Sequence, residues 1–173
     1  KYTLVQLKNP SASERGTLKI SYTEKECSQI GIMCISSVSI IYNTDEEKNT
    51  IVLHADNSAL INGEEIADLA SLRQEAWENK HLYVKQMSSL FVIVQGFGYS
   101  VLYDRNGRIY ISLEPYYADK IMGLCGNNDG NSENDQTNAD GIPSDLKSFG
   151  DSFRDTTCAL LAPPNQSRKP CST

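Results

Sequence analysis

The chain has 173 residues, of which 39% are hydrophobic and 22% charged, and its formal net charge is -6. That length and apolar content fit one globular domain with a tail, not an overall disordered chain. The acidic balance argues against a nucleic-acid surface, which needs clustered Lys and Arg to displace counterions, and apolar runs such as Leu90 to Val94 are far too short for a membrane-spanning helix.

Lys1 to Leu7 alternates as a mid-domain strand does, with Tyr2, Leu4 and Gln6 on one side and Thr3, Val5 and Leu7 on the other. No charged segment followed by an apolar one opens the chain, so any signal peptide is expected to be removed or to lie upstream. Residue 1 is accordingly expected to be a processing point or a cut within a larger protein. Thr17 to Thr23 alternates next, placing Leu18, Ile20 and Tyr22 on one face. Cys27 and Cys34 follow, separated by a stretch that a short loop can close as a local disulfide; two buried thiols in a reducing compartment would satisfy the same spacing. Ile35 to Tyr42 is rich in β-branched residues, and the acidic turn from Asn43 to Lys48 joins it to Thr50–His54 as a hairpin.

Ala59 to Glu64 carries the Asn62-Gly63 pair, a strong hairpin signal. Glu65 to Trp77 is the one candidate helix, although its apolar spacing fits a 3.6-residue period poorly. Leu82 to Met87, Leu90 to Gln95, Ser100 to Tyr103 and Arg108 to Leu113 read as strands, the last two around a second Asn-Gly turn at Asn106-Gly107. Pro115 to Ile121 reads as a short helix or turn. The expected fold is mainly β, an antiparallel sandwich or meander with an irregular C-terminal segment and little helix. From Leu161 the chain turns Pro- and Ser-rich and reads as a linker towards a further domain.

Between Cys125 and Asp145 the chain is crowded with Asn and Asp and has almost no large apolar residue. Calcium takes six to eight oxygens from carboxylates, amides and backbone carbonyls, and glycines let a backbone turn around it. Gly123 to Asp135, GLCGNNDGNSEND, offers both, while an Asn/Asp-rich surface loop closed by its own Asx turns would have the same composition. It is not an EF-hand: with Asn127 and Asp129 at the first and third loop positions, Ser132 stands at the required glycine and Asn138 at the required glutamate. The five cysteines, Cys27, Cys34, Cys125, Cys158 and Cys171, match no zinc spacing, and their odd number leaves at least one free or paired outside the chain.

GLCGNNDGNSEND, followed by Phe149-Gly150-Asp151-Ser152-Phe153 and then Cys158, resembles the closing signature of the von Willebrand factor type D domain. The resemblance extends over residues 1–158 and leaves 159–173 as the linker. It implies calcium held by the side chains of Asn127, Asp129, Asn134 and Asp135 and by the backbone carbonyl of Asn131. It also implies that Cys27 bonds Cys34, and that Cys125 and Cys158 pair with cysteines in sequence preceding Lys1, where a further calcium-binding aspartate would also lie. The sequence itself leaves the connectivity of Cys125, Cys158 and Cys171 open, since two of them could instead pair with each other. Met122 stands where some relatives carry a cysteine, which removes their CxxC and speaks against thiol exchange.

Other motifs are weaker. Gly150-Asp151-Ser152 is similar to the nucleophile block of some serine hydrolases, but no histidine follows residue 81 to complete a triad. Gly96-Phe97-Gly98 is an incomplete phosphate loop. His54 and His81 read as ordinary sheet and turn residues. One sequon, Asn165-Gln166-Ser167, offers a glycosylation site. The expectation is a secreted, extracellular, calcium-binding, non-enzymatic module that links domains or chains of a large glycoprotein of the mucin, clotting or matrix sort. Such a module can also be cut from a lipid-transfer or yolk precursor, and some secreted luciferases contain one.

Overall fold

A computed structural model of the chain describes residues 1–10, 13, 15–27, 31–73, 77–79 and 81–155, with the backbone alone at 73, 77 and 79. Among these residues twelve strands form two antiparallel sheets. The larger contains, in spatial order, β12 (Ile121–Met122), β1 (Tyr2–Leu7), β2 (Thr17–Glu26), β3 (Met33–Asn43), β4 (Lys48–His54), β5 (Ala59–Ile61) and β6 (Glu64–Ile66). The smaller runs β11 (Ile109–Leu113), β10 (Tyr99–Tyr103), β9 (Val92–Gly96), β8 (Leu82–Gln86) and β7 (Trp77–Asn79). The mainly β, antiparallel expectation holds.

Period-two alternation builds the core. Val5 and Leu7, Leu18 and Ile20, Val38 and Ile40, Ile51 and Leu53 from one sheet join Leu82 and Val84, Val92 and Val94, Val101 and Tyr103 from the other in one buried cluster. Each such aliphatic side chain contributes roughly 1.5–3 kcal/mol by leaving water. The alternation slips once. Thr3 faces Ser21 and Val5 faces Ile20, so Leu4 is an extra residue, a bulge in β1. Past it Ser21 is buried and Tyr22 is only half-buried, where simple alternation put Tyr22 in the same row as Ile20.

The turns follow their residues. Asn62 and Gly63 both take positive φ, 51° and 88°, as a two-residue hairpin demands. The Asp104 carboxylate accepts from the backbone N–H groups of Asn106 and Arg108, both at 2.8 Å, closing the turn between β10 and β11. From that turn Arg105 donates to the Asn57 side chain and to the Ser89 carbonyl, and Asn57 donates to Asp68. The turn of one sheet is thereby braced against the β4–β5 turn of the other.

The expected helix from Glu65 to Trp77 does not form. Its described residues divide among β6, a 3-10 turn over Leu69–Arg73, and β7. The Asn62-Gly63 turn pairs Glu64–Ile66 with β5, and the Asp68 carboxylate then accepts from the Ala70 N–H to open the 3-10 turn. Leu69 and Leu72, three apart, are both buried, a spacing that suits three residues per turn. One α-helix occurs among the described residues, α1 (Leu146–Ser152), where the sequence reading placed none. Its start was legible: Asp145 caps it, its carboxylate accepting from Lys147 and Ser148 N–H at 2.9 and 3.0 Å.

Cys27 and Cys34 are bonded, with Cα atoms 5.4 Å apart, and the Cys27 N–H donates to the Ile32 carbonyl. Closing so short a loop restricts the unfolded chain by about 2 kcal/mol. The double variant Cys27→Ser/Cys34→Ser should lose stability of that order in urea unfolding while keeping the sheet signal in circular dichroism. An unchanged midpoint would show that the bond contributes nothing.

Candidate cation loop and cleft

β1 organises the region that carries the GLCGN stretch. Beyond its short pairing with β12, the Leu124 N–H donates to the Thr3 carbonyl and the Cys125 N–H to the Leu4 carbonyl, each at 3.1 Å. Gly123 makes this possible. A Cβ there would lie 2.1 Å from the Leu4 oxygen, and its φ of 146° is open chiefly to glycine. Gly126 serves a second close approach: a Cβ would lie 2.1 Å from Oδ1 of Asp135, so the missing side chain is the notch that seats this carboxylate. The Asn127 N–H donates to the same oxygen at 3.3 Å.

Above this base, three of the five sequence-proposed ligands meet side chain to side chain. Nδ2 of Asn127 and Nδ2 of Asn134 donate to Oδ2 of Asp129 at 2.9 and 2.7 Å, and Asn127 also donates to Oδ1 of Asn134 at 3.2 Å. Asp135 joins through the backbone of Asn127. The Asn131 side chain does not join: it accepts from the Glu133 N–H and caps the 3-10 turn over Ser132–Asn134. Its N–H donates to Oδ1 of Asp129 at 2.7 Å.

Among the described residues no three His, Cys, Asp or Glu side chains cluster closely enough to hold a metal ion. A cation here would have to draw on amide and backbone oxygens beside Asp129 and Asp135, the hard-oxygen donor set of calcium. The residues fit that demand in one respect and need adjustment in another. The Asn127 and Asn134 amides present nitrogen to Asp129, and a half-turn of each exchanges nitrogen for oxygen within the same envelope. For Asn127 the turn gives up the bond that its Oδ1 accepts from the Asp129 N–H.

Hydrogen bonds from the Asn134 amide, the Asn131 N–H and the Asn127 amide hold the Asp129 carboxyl below the usual carboxylate range, with a smaller pull from the Lys8 charge. Lys8 is itself bound to Asp119 at 2.7 Å, and the Asp119 N–H donates to the Asn127 carbonyl at 3.1 Å.

Beside the loop, a cleft of about 390 Å³ opens between β11 and the larger sheet. Leu4, Tyr22, Ile35, Ile111 and Ile121 line it, together with Cys125. Cys125 is an exposed residue and carries the free thiol of the described part of the chain. Partial burial against the cleft wall pushes that thiol up, the opposite of what a thiol-exchange cysteine needs.

The FGDSF stretch is structural. The Ser152 hydroxyl donates to the Phe149 carbonyl at 2.8 Å and accepts from the Ala139 N–H at 3.2 Å, so it is not held as a nucleophile. Phe153 is buried, its carbonyl accepts from the Thr3 N–H at 2.9 Å, and Arg154 lies over the Tyr2 ring. Gly96-Phe97-Gly98 forms the turn between β9 and β10, with the Tyr99 ring packed where a side chain on Gly96 would go. Cys158, Cys171, Asn165 and the linker at 159–173 lie outside the described residues. Among the described residues no helix is long and apolar enough to cross a membrane.

A family model of the von Willebrand factor type D domain matches residues 1–142. Over 137 residues the chain is 26% identical to zonadhesin of Homo sapiens, covering 79% of this chain and 4% of zonadhesin. It is 29% identical to human otogelin over 144 residues, covering 80% of this chain and 5% of otogelin. It is 26% identical to human mucin-19 over 144 residues, covering 82% of this chain and 2% of that protein. The chain thus spans only 2% to 5% of the length of these curated relatives.

Replacing Asn134 with alanine should move the Asp129 carboxyl back up towards the ordinary value near ~4, read by NMR titration of its carboxyl carbon. Because the folded value is depressed, the stability this bonding contributes is present above the unfolded value and lost as pH falls through the folded one. An unmoved titration would show that the Asn134 bond is not made in solution.

Proposed function

The chain belongs to the von Willebrand factor type D domain family, and on that premise we propose that it is a calcium-stabilised structural module of a large secreted glycoprotein, joining domains or chains of an extracellular assembly and catalysing no reaction. The observation that carries the calcium reading is the convergence of Asn127 and Asn134 on one carboxylate oxygen of Asp129, with Asp135 seated beneath them in the Gly126 notch. In this reading the side chains of Asn127, Asp129, Asn134 and Asp135 and the carbonyl of Asn131 hold the ion. Calcium would supply a fixed positive charge beside the Asp129 carboxylate, on which the Asn127 and Asn134 amides converge. The loop's backbone is already tied to β1 and to the turn at Asp119, so binding would call chiefly for side-chain rotation.

The assembly role is supported by the relatives, which are long proteins that include a mucin and match this chain over only a small part of their length. It is supported also by the cleft. β11 pairs only with β10 among the described residues, and Ile111 and Leu113 face an apolar space with Cys125 beside it. An extended segment preceding this stretch in the longer protein, apolar at alternate positions and carrying a cysteine, would fill the cleft and bond Cys125.

Two experiments test the proposal. In thermal unfolding, calcium at a hundredfold excess over its Kd should add about 2.7 kcal/mol of stability relative to excess chelator, and the gain should vanish in Asp129→Ala. Wild-type protein that melts alike with calcium and with chelator would overturn the calcium reading. In non-reducing peptide mapping of the native full-length protein, Cys125 should appear cross-linked to a peptide from upstream sequence. Recovery of Cys125 as an alkylated thiol would overturn the linkage.

A further inference from the structure

The molecule has two Asn-Gly turns, and they differ in how the asparagine is held. We propose that Asn106 is a site of spontaneous deamidation in the folded protein, converting to aspartate and isoaspartate, while the fold protects Asn62. This inference stands apart from the calcium and disulfide readings. Both asparagines are exposed and both precede a glycine, so neither accessibility nor local sequence distinguishes them.

In the reaction, the backbone nitrogen of the following glycine loses its proton and attacks Cγ of the asparagine side chain. A nitrogen–carbon bond forms, the bond from Cγ to the amide nitrogen breaks, and ammonia leaves with the proton returned to it. Water then opens the five-membered succinimide at either carbonyl, giving aspartate or isoaspartate, with no change of oxidation state. Three conditions favour the attack: a glycine next in sequence, a glycine N–H free of hydrogen bonds, and an asparagine side chain free to rotate.

Asn106 meets all three. The N–H groups on either side, of Asn106 and of Arg108, both donate to Oδ1 of Asp104 at 2.8 Å. The Gly107 N–H between them donates to no acceptor among the described residues, and the Asn106 side chain makes no hydrogen bond there either. A Cβ built on Gly107 would meet nothing within 4 Å, so the turn is open to solvent on that side.

Asn62 fails the third condition. Its Oδ1 accepts from the Thr50 N–H at 2.7 Å, and its Nδ2 donates to Oδ1 of the buried Asn49 at 2.9 Å. Turning Cγ towards the Gly63 nitrogen would break both bonds.

The product matters for its neighbours. A new carboxylate at position 106 would stand beside the buried Asp104, whose Oδ2 lies 3.8 Å from the Arg108 side chain. Isoaspartate would also add a methylene to the backbone of a turn that Asp104 closes. Gly107 lines the same cleft as Cys125, so both products place negative charge at its edge.

The test is to incubate the folded, disulfide-intact chain in mildly alkaline buffer, digest samples over time, and follow the two Asn-Gly peptides by mass spectrometry with enzymatic isoaspartate labelling. A reduced, denatured sample runs in parallel. In the folded protein Asn106 should convert steadily and Asn62 at least about tenfold more slowly, since its reaction first gives up two hydrogen bonds. In the denatured chain the two should convert at comparable rates. Equal rates in the folded protein, no conversion of Asn106 there, or a difference that persists after denaturation would each overturn the proposal.

Discussion

A Cβ on Gly123 would lie 2.1 Å from the Leu4 carbonyl oxygen, and most of the C-terminal third of the described chain depends on the crossing that its absence allows. Leu4 is the bulged residue of β1, so its carbonyl turns away from the regular β1–β2 ladder. It accepts the Cys125 N–H instead, while Thr3 accepts the N–H of Leu124 and donates its own to Phe153. One strand therefore fixes the glycine-rich turn, the wall of the cleft and the segment after α1. A side chain at position 123 would push the turn off β1 and break the bonds from Leu124 and Cys125. The glycine and the bulge belong to one close contact between segments far apart in sequence.

The loop that follows has a fixed backbone and adjustable side chains. The carbonyl of Asn127 is held by the Asp119 N–H, that of Gly123 by the Gly126 N–H, and that of Asn134 by the Thr137 hydroxyl. What can change is which atom each asparagine turns towards Asp129. In the structure the amide nitrogens face the carboxylate and offset its charge as donors. A cation between them would take over that work, and the asparagines would then contribute oxygens. The Lys8 charge, which would oppose a cation nearby, is drawn off by the salt bridge to Asp119.

Much of this was legible in the sequence because the signals were local. Period-two alternation located the long strands, the two Asn-Gly pairs located hairpin turns, and the Gly, Asn and Asp spacing from Gly123 to Asp135 located the loop. The errors came where a longer-range contact outweighed the local pattern. Tyr22 left the row of Ile20 because the Leu4 bulge shifts the register of β1 on β2, and no pattern within β2 encodes that shift. The local pattern of Glu65 to Trp77 allows a helix, but the hairpin before it commits Glu64–Ile66 to the sheet. The spacing of Leu69 and Leu72 then fits a 3-10 turn better than an α-helix. For α1 the signal is local too, an aspartate cap at Asp145 ahead of Leu146. The roles of the loop asparagines were only partly legible, since composition cannot show that Asn131 caps a turn while Asn127 and Asn134 converge.

The sheet edges set β11, which walls the cleft, apart from the other edge strands. An unpaired edge strand exposes a row of backbone donors and acceptors, and proteins blunt such edges with charge, short length or cover. β6 is three residues long and carries Glu64 and Glu65. β7 is also three residues long, and β12 only two. Among the described residues β11 has none of these protections. Its five residues, Ile-Tyr-Ile-Ser-Leu, carry no charge, and their inward row is half-buried, whereas the equivalent row of β10 is fully buried. The difference in burial between these two paired strands measures what the cleft leaves uncovered. A cation in the loop would stiffen the ground beside that space without filling it. An extended apolar segment would satisfy the backbone edge, the inward row and the Cys125 thiol at once.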